Sequence, residues 1–267
     1  MEVSELMTTS VHTISSGKSI AYASERMNER KVGSLVVMDH GTVCGIITSR
    51  DIRASHPNRI VADAMTPEPI AVSSDQFVWD AVKIMDRHGI ERVVVMDGDR
   101  LAGLVTREEI AIKLSQYADP LTGLYRAPYI QSIGAKFLKR GQPFHLLFID
   151  LNEFGLINKR YGHPFGDDVI RAFSDRLAGA VAEGRDFLSR YAGDEFVMIT
   201  LGNETEAEEL VRYAAQPVAV GGIAVSSAVG HVDVHRESDF SKLSFRDVLE
   251  KASLLSTSRK MSAVAES

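Results

Sequence analysis

Arg190-Tyr191-Ala192-Gly193-Asp194-Glu195-Phe196 places two acids at the tip of what reads as a tight β-hairpin. The stretch Asp186 to Tyr191 has strand character and Phe196 to Leu201 is an apolar, β-prone run, so the reversal is expected at Ala192-Gly193, with Asp194 and Glu195 just past it. Glycine at such a tip lets a ligand approach the backbone, and adjacent carboxylates offer a metal ligand beside a proton acceptor or second ligand. By itself the tripeptide Gly-Asp-Glu fits a solvated turn equally well, so the reading depends on what joins it.

His145-Leu146-Leu147-Phe148-Ile149-Asp150 joins it: a buried-strand run ending in a carboxylate that a core strand would not carry without a use. Three carboxylates brought to about 4 Å repel by roughly 4 kcal/mol per pair at an effective dielectric near 20, so Asp150, Asp194 and Glu195 would need a cation between them. All-oxygen ligation points to magnesium, with manganese as the alternative.

The 267 residues suggest two domains, and 45% hydrophobic content supplies core for both. A net charge of -6 gives no general pull toward nucleic acid or an anionic membrane surface. The one cysteine, Cys44, excludes an intrachain disulfide and reads as a small buried hydrophobe. Met1-Glu2-Val3-Ser4-Glu5 lacks the basic start of a leader, and no apolar run reaches the roughly 18 residues of a membrane span. A cytoplasmic location is expected.

The first half repeats itself without a gap. Met7 matches Met65, Thr8 Thr66, Ala23 Ala81, Met27 Met85, Asp39 Asp97, Gly45 Gly103 and Thr48 Thr106, each at an offset of 58. Each copy reads as an extended opening, a helix (20 to 30, 78 to 88), a strand (34 to 38, 92 to 96), a Gly/Asp turn, a second strand (43 to 48, 101 to 106) and a short helix. The helix from Arg107 to Tyr117 is expected to end at Asp119-Pro120. The second half alternates helix and strand: helix 128 to 139, the Asp150 strand, helix 167 to 181, the hairpin, helix 204 to 215, strands within 218 to 234, and helix 245 to 260. The fold class is therefore α/β (α+β), with domains at 1–117 (repeats about 1–56 and 59–117) and 118–267.

Two resemblances follow from these motifs. Leu6-Met7-Thr8, Ala64-Met65-Thr66, Gly45 through Asp51 and Gly103 through Glu109 make the first half resemble a pair of cystathionine β-synthase (CBS) domains. Asp119-Pro120-Leu121-Thr122-Gly123-Leu124, Phe148 through Phe154, Tyr161 through Asp167 and Arg190 through Phe196 make the second resemble a GGDEF domain of the diguanylate cyclases, with a ferredoxin-like, cyclase-type sheet. The first resemblance implies a cleft for an adenine nucleotide, with Thr48 and Asp51, and less well Thr106 and Glu109, on the ribose. The same residues suit helix capping equally, and the pair could serve only to dimerise. The second implies magnesium on Asp150, the Leu151 carbonyl and Asp194, with Glu195 as the essential second acid. It also implies guanine contacts from Asn158 and Asp167, a loop role for His163, and phosphate contact by Lys260. A homodimer would condense two GTP to cyclic di-GMP.

Departures from the family pattern are Ala192 at the first glycine of the signature, Asn152 and Gly155 in the strand-end motif, and Val264 where an arginine is expected. They leave a second reading, a degenerate domain that binds GTP or only dimerises. Arg190 is expected to pair with a nearby acid, and Glu183 replaces the arginine of the product-binding R-x-x-D motif, which would end at Asp186.

Overall fold

The computed structural model describes residues 1–237 and 242–265, with side chains through Met261; Val264 is therefore outside the described side chains. The chain divides into two compact units, Met1–Ser115 and Gln116–Ser267.

In the first unit the duplication extends to register. Strand β1 (Thr13–Ile14), helix α1 (Ile20–Arg30), β2 (Ser34–Asp39), β3 (Thr42–Thr48) and α2 (Ser49–Ala54) form one copy. After β4 (Thr66–Pro67) come β5 (Ala71–Val72), α3 (Val78–His88), β6 (Arg92–Asp97), β7 (Arg100–Thr106) and α4 (Arg107–Ser115). Thr13 pairs with Val36 in a parallel ladder as Ala71 does with Val94; Ser34 faces Thr48 as Arg92 faces Thr106. Even the irregularity recurs, between Val37 and Met38 and between Val95 and Met96. Helix α1 buries Ile20, Ala23 and Met27, and α3 buries Val78, Ala81 and Met85, positions spaced three and four apart. Both helices stop on a left-handed residue, Gly89 in one copy and Lys31 in the other, where the side chain costs about 1 kcal/mol.

The opening segment of each copy crosses to the other. Thr66 pairs with Ile46, and Thr8 with Leu104. A Cβ on Gly45 would lie 2.5 Å from the Met65 sulfur and one on Gly103 2.8 Å from that of Met7, which explains why both Gly and Met repeat. Val36, Ile46 and Val94 close the space between the two sheets. Helix α4 ends at Ser115, before the expected Asp119-Pro120 stop. Cys44 is half-buried rather than buried, its Sγ donating to the Val37 carbonyl at 3.4 Å.

The second unit runs β8 (Tyr125–Arg126), α5 (Ala127–Lys139), β9 (His145–Leu151), α6 (Phe154–Tyr161), α7 (His163–Ala180), β10 (Asp186–Ala192), β11 (Glu195–Thr200) and α8 (Glu204–Ala215). The small ribbon β12 (Val218–Val220) and β13 (Ile223–Val225), then β14 (Ser227–Asp233) and α9 (Phe245–Ala265), complete it. The sheet order is β14-β9-β11-β10-β8, with β9, β10, β11 and β14 in the split βαβ order of a ferredoxin-like sheet. Leu147, Ile149 and Leu151 point into the core built with α7 and α8 through Val169, Phe173 and Leu210. The alternation of a strand then sends Leu146, Phe148 and Asp150 to the opposite face, which α9 covers. The long helix starts at His163, four residues before the expected Asp167, and the short α6 precedes it. Gly162 breaks the helical run between them with φ 86°.

Candidate functional site

The hairpin turns one residue later than the sequence suggests. Ala192 ends β10 and Glu195 opens β11, so Gly193-Asp194 is the turn, with Gly193 at φ 46° and the ladder slipping between Arg190 and Ala192. Ala192 stays outside the left-handed region, so its methyl group is accommodated. Glu195 is the direct cross-strand partner of Asp150, and the Leu151 N–H reaches the Asp194 carbonyl at 3.3 Å. Three acids thus gather at one end of the two central strands, where like charges facing each other destabilise a sheet. Burial pushes the Asp194 carboxyl above its ordinary range and Asp150 adds to it; burial, Asp150 and Asp194 do the same to Glu195.

The balancing cation belongs to the chain. Lys260 Nζ, brought over the sheet by α9, sits 2.6 Å from Asp150 Oδ1 and donates to the Leu151 carbonyl at 2.9 Å. Among the described residues no three His, Cys, Asp or Glu side chains form a metal cage. Asp150 Oδ1 and the Leu151 carbonyl share that ammonium, and Asp194 and Glu195 lie near enough to Asp150 to feel its charge. These are hard oxygen donors that already hold a cation between two of them, and they fit magnesium or manganese.

A second group lies on α6 and α7. A Cβ on Gly166 would stand 2.0 Å from Asn158 Oδ1, so the absence of a side chain there gives the Asn158 carboxamide its room against the first turn of α7. Among the described residues Asn158 Oδ1 is buried without a hydrogen-bond partner, an unsatisfied acceptor. His163 is exposed at the first residue of α7. Asn152 anchors the strand end differently from an acid: its Nδ2 donates to Ser226 Oγ at 2.9 Å and its N–H to the Ser226 carbonyl at 2.9 Å. Arg190 pairs with Asp119 at 2.9 Å.

In the first unit Thr48 and Asp51 line a cleft of ≈ 360 Å³, and Thr106 and Glu109 one of ≈ 160 Å³. Both pairs form reciprocal helix caps: Asp51 Oδ2 accepts from Thr48 N–H and Oγ1 at 2.8 and 2.7 Å, and Glu109 Oε2 from Thr106 at 2.9 and 2.7 Å. The copies differ in the other oxygen, because Glu109 Oε1 also accepts from Thr8 Oγ1 at 3.3 Å. Arg92 lines both clefts. It was not singled out from sequence, although the offset of 58 sets it against Ser34 and so marks a cation present in one copy only.

A duplicated strand-helix unit with paired clefts, followed by a ferredoxin-like sheet with an acidic hairpin, defines the class. Family models match at these places: CBS domain at residues 3–56 and 61–116, and diguanylate cyclase, GGDEF domain at 116–235. The chain belongs to the CBS-domain proteins and carries a GGDEF domain after its CBS pair. It is similar to the CBS domain-containing protein YhcV of Bacillus subtilis, 30% identical over 116 residues, covering 41% of this chain and 83% of YhcV. It is also similar to the response regulator PleD of Caulobacter vibrioides, 41% identical over 85 residues, 30% of this chain but only 18% of PleD. The structure of the diguanylate cyclase SiaD with its activator SiaC from Pseudomonas aeruginosa superposes with a TM-score of 0.51. That likeness covers 69% of this chain and 66% of that one at 21% identity, and it speaks to the fold alone. Among the described residues no helix is long and apolar enough to cross a membrane.

Proposed function

We propose that residues 118–267 condense two GTP molecules into cyclic di-GMP between two copies of the chain, in the cytoplasm. Residues 1–117 would set the output by binding an adenine nucleotide. The observation that carries this reading is the acid group at the sheet end, with a cation seated on Asp150 and the Leu151 carbonyl and with Asp194 and Glu195 beside it.

Each half-site would bind one GTP. Asn158 and Asp167 would read the guanine edge, the carboxylate accepting from N1–H and the 2-amino group. Asp150, the Leu151 carbonyl and Asp194 would hold magnesium, which supplies charge stabilisation at the phosphates when bound. Glu195, which burial and the neighbouring acids make a stronger base than a free carboxylate, would in its ionised form take the proton of the 3′-hydroxyl. The 3′-oxygen then bonds to the α-phosphorus of the facing GTP, and the bond from that phosphorus to the β-phosphate bridging oxygen breaks, releasing pyrophosphate. Because each site holds one nucleotide, positioning by a homodimer supplies most of the rate.

Incubating the full chain with GTP and magnesium, then separating products by mass, tests the reading. Cyclic di-GMP should form, and Glu195→Gln should abolish it without changing the thermal midpoint. Product formation that survives in the variant would refute the assignment. GTP binding without turnover would instead favour the regulatory reading, which gains support from Gly155 standing where the family carries a lysine. For the CBS pair, calorimetry with AMP, ADP and ATP should show binding that Asp51→Ala weakens more than Glu109→Ala does. Both changes remove an equivalent cap and Glu109→Ala also removes the Thr8 contact, so a larger loss in Asp51→Ala cannot come from capping. No heat with any of the three would leave dimerisation as the role of this half.

A further inference from the structure

Lys260 is a cation built into the place where the donor set would take a metal. Its ammonium contacts the same two oxygens, Asp150 Oδ1 and the Leu151 carbonyl, at 2.6 and 2.9 Å. A magnesium or manganese ion bound to those oxygens would stand about 2.1 Å from each, inside the space the ammonium fills, and the two positive charges would repel. The side chain can leave: it is 29% exposed, on a flexible four-carbon stem rooted in α9. Leaving costs its two charge-assisted contacts unless another anion receives it.

We propose that Lys260 is a resident counter-ion that excludes metal from the empty site, and that a metal-bound nucleoside triphosphate, not the metal alone, displaces it by offering its phosphates as the ammonium's new partner. This rests on the metal reading of Asp150, Leu151 and Asp194 given above. The metal and the nucleotide are then linked: each raises the other's affinity by the same factor, and Lys260 carries the linkage. The arrangement also keeps the acids compensated between turnovers, when their mutual repulsion would otherwise be unrelieved.

The test is Mn²⁺ binding to the full chain, read by the electron paramagnetic resonance of unbound ion, with and without a GTP analogue bearing a methylene bridge between the α and β phosphorus atoms, the ion taken up by the analogue itself being subtracted from a protein-free control. In the wild type Mn²⁺ alone should bind weakly and tighten about tenfold or more with the analogue. Lys260→Met should bind Mn²⁺ alone about tenfold more tightly than the wild type and show little further gain from the analogue. Lys260→Arg, which keeps a cation, should stay weak without nucleotide. Lys260→Gln provides a second neutral variant should the Met form fail to fold. Equal Mn²⁺ affinity in the wild type and the neutral variants, with binding abolished by Asp150→Asn, would overturn this inference while leaving the metal site standing. No Mn²⁺ binding in any form, with or without the analogue, would overturn the metal reading and this inference with it.

Discussion

Arg190 Nη1 lies 2.9 Å from Asp119 Oδ1 while Nε of the same guanidinium donates to the Gly193 carbonyl at 2.9 Å. One side chain thereby ties the hairpin tip to the turn that opens the second unit. Asp119 is the hub of that turn, accepting also from Leu121 N–H, Thr122 N–H and Thr122 Oγ1. Burial alone would raise the Asp119 carboxyl, but Arg190 and Thr122 outweigh it and hold it below its ordinary value.

Arg190→Ala should therefore loosen the acidic tip, because it leaves a mostly buried carboxylate unpaired, a loss of about 3 kcal/mol. Hydrogen exchange of the hairpin amides should accelerate more than that of β9. Unchanged protection at Gly193 and Asp194 would show that the ion pair does not hold the turn.

A second expectation concerns α9, which delivers Lys260. A Cβ on Gly230 would fall 1.8 Å from the Ala252 carbonyl and 2.6 Å from the Ser256 amide, both main-chain atoms that cannot rotate aside. Gly230→Ala should push α9 off β14 and cost about 3 kcal/mol, measured by denaturant unfolding of the full chain. An undiminished midpoint would mean the helix packs elsewhere.

A third follows from the histidine pair on β9 and β14, where His145 Nδ1 and His231 Nε2 are 3.1 Å apart. Burial, then the neighbouring His145, lowers the His231 pKa below its ordinary 6.5; Arg259 acts in the same sense, and Asp233 and Glu208 oppose it. The unfolded chain then binds the proton more readily than the folded one, so stability is full above pH 6.5 and falls as the pH drops through the folded value. Denaturant midpoints should decline on acidification over this window in the wild type, and His231→Phe should flatten the decline. A wild-type slope retained in the variant would place the titrating group elsewhere.

Most of the fold was legible because its signals are local. Helices 20 to 30, 78 to 88 and 204 to 215 have the expected limits, each set by side-chain periodicity and adjacent turn residues. The register of the first unit was implicit in the offset of 58, since paired Gly and Met positions mark where segments exchange. The site was legible only as a set of residue types. That Lys260 would rest on the Leu151 carbonyl could not be read, because a contact spanning 109 residues depends on how α9 crosses the sheet. The helix break at Gly162 was missed for a similar reason: Tyr161 to Asp167 reads as a loop motif, and the φ 86° of Gly162 appears only in the folded chain.

The last expectation concerns feedback by product. In the window Glu183-Gly184-Arg185-Asp186 the family's arginine is Glu183, whose charge repels a dianionic ligand where a guanidinium would grip it. The structure adds a second obstacle at Asp186, which is 5% exposed. Its carboxylate accepts from Thr200 Oγ1 at 2.6 Å, Ala182 N–H at 2.8 Å and Arg185 Nε at 3.0 Å. Arg185, the nearest cation, is itself held between Asp186 and Glu206. Offsetting the missing arginine would therefore require Arg185 to break both pairs, and Asp186 to surrender buried hydrogen bonds. Calorimetric titration of cyclic di-GMP, with the GTP analogue saturating the catalytic cleft, should accordingly show no micromolar binding in the wild type. Glu183→Arg alone should not create it, because the carboxylate that would complete the site stays committed to Thr200 and Ala182. Micromolar or tighter binding in either form, removed by Asp186→Asn in a chain that still melts cooperatively, would show that the window opens to ligand.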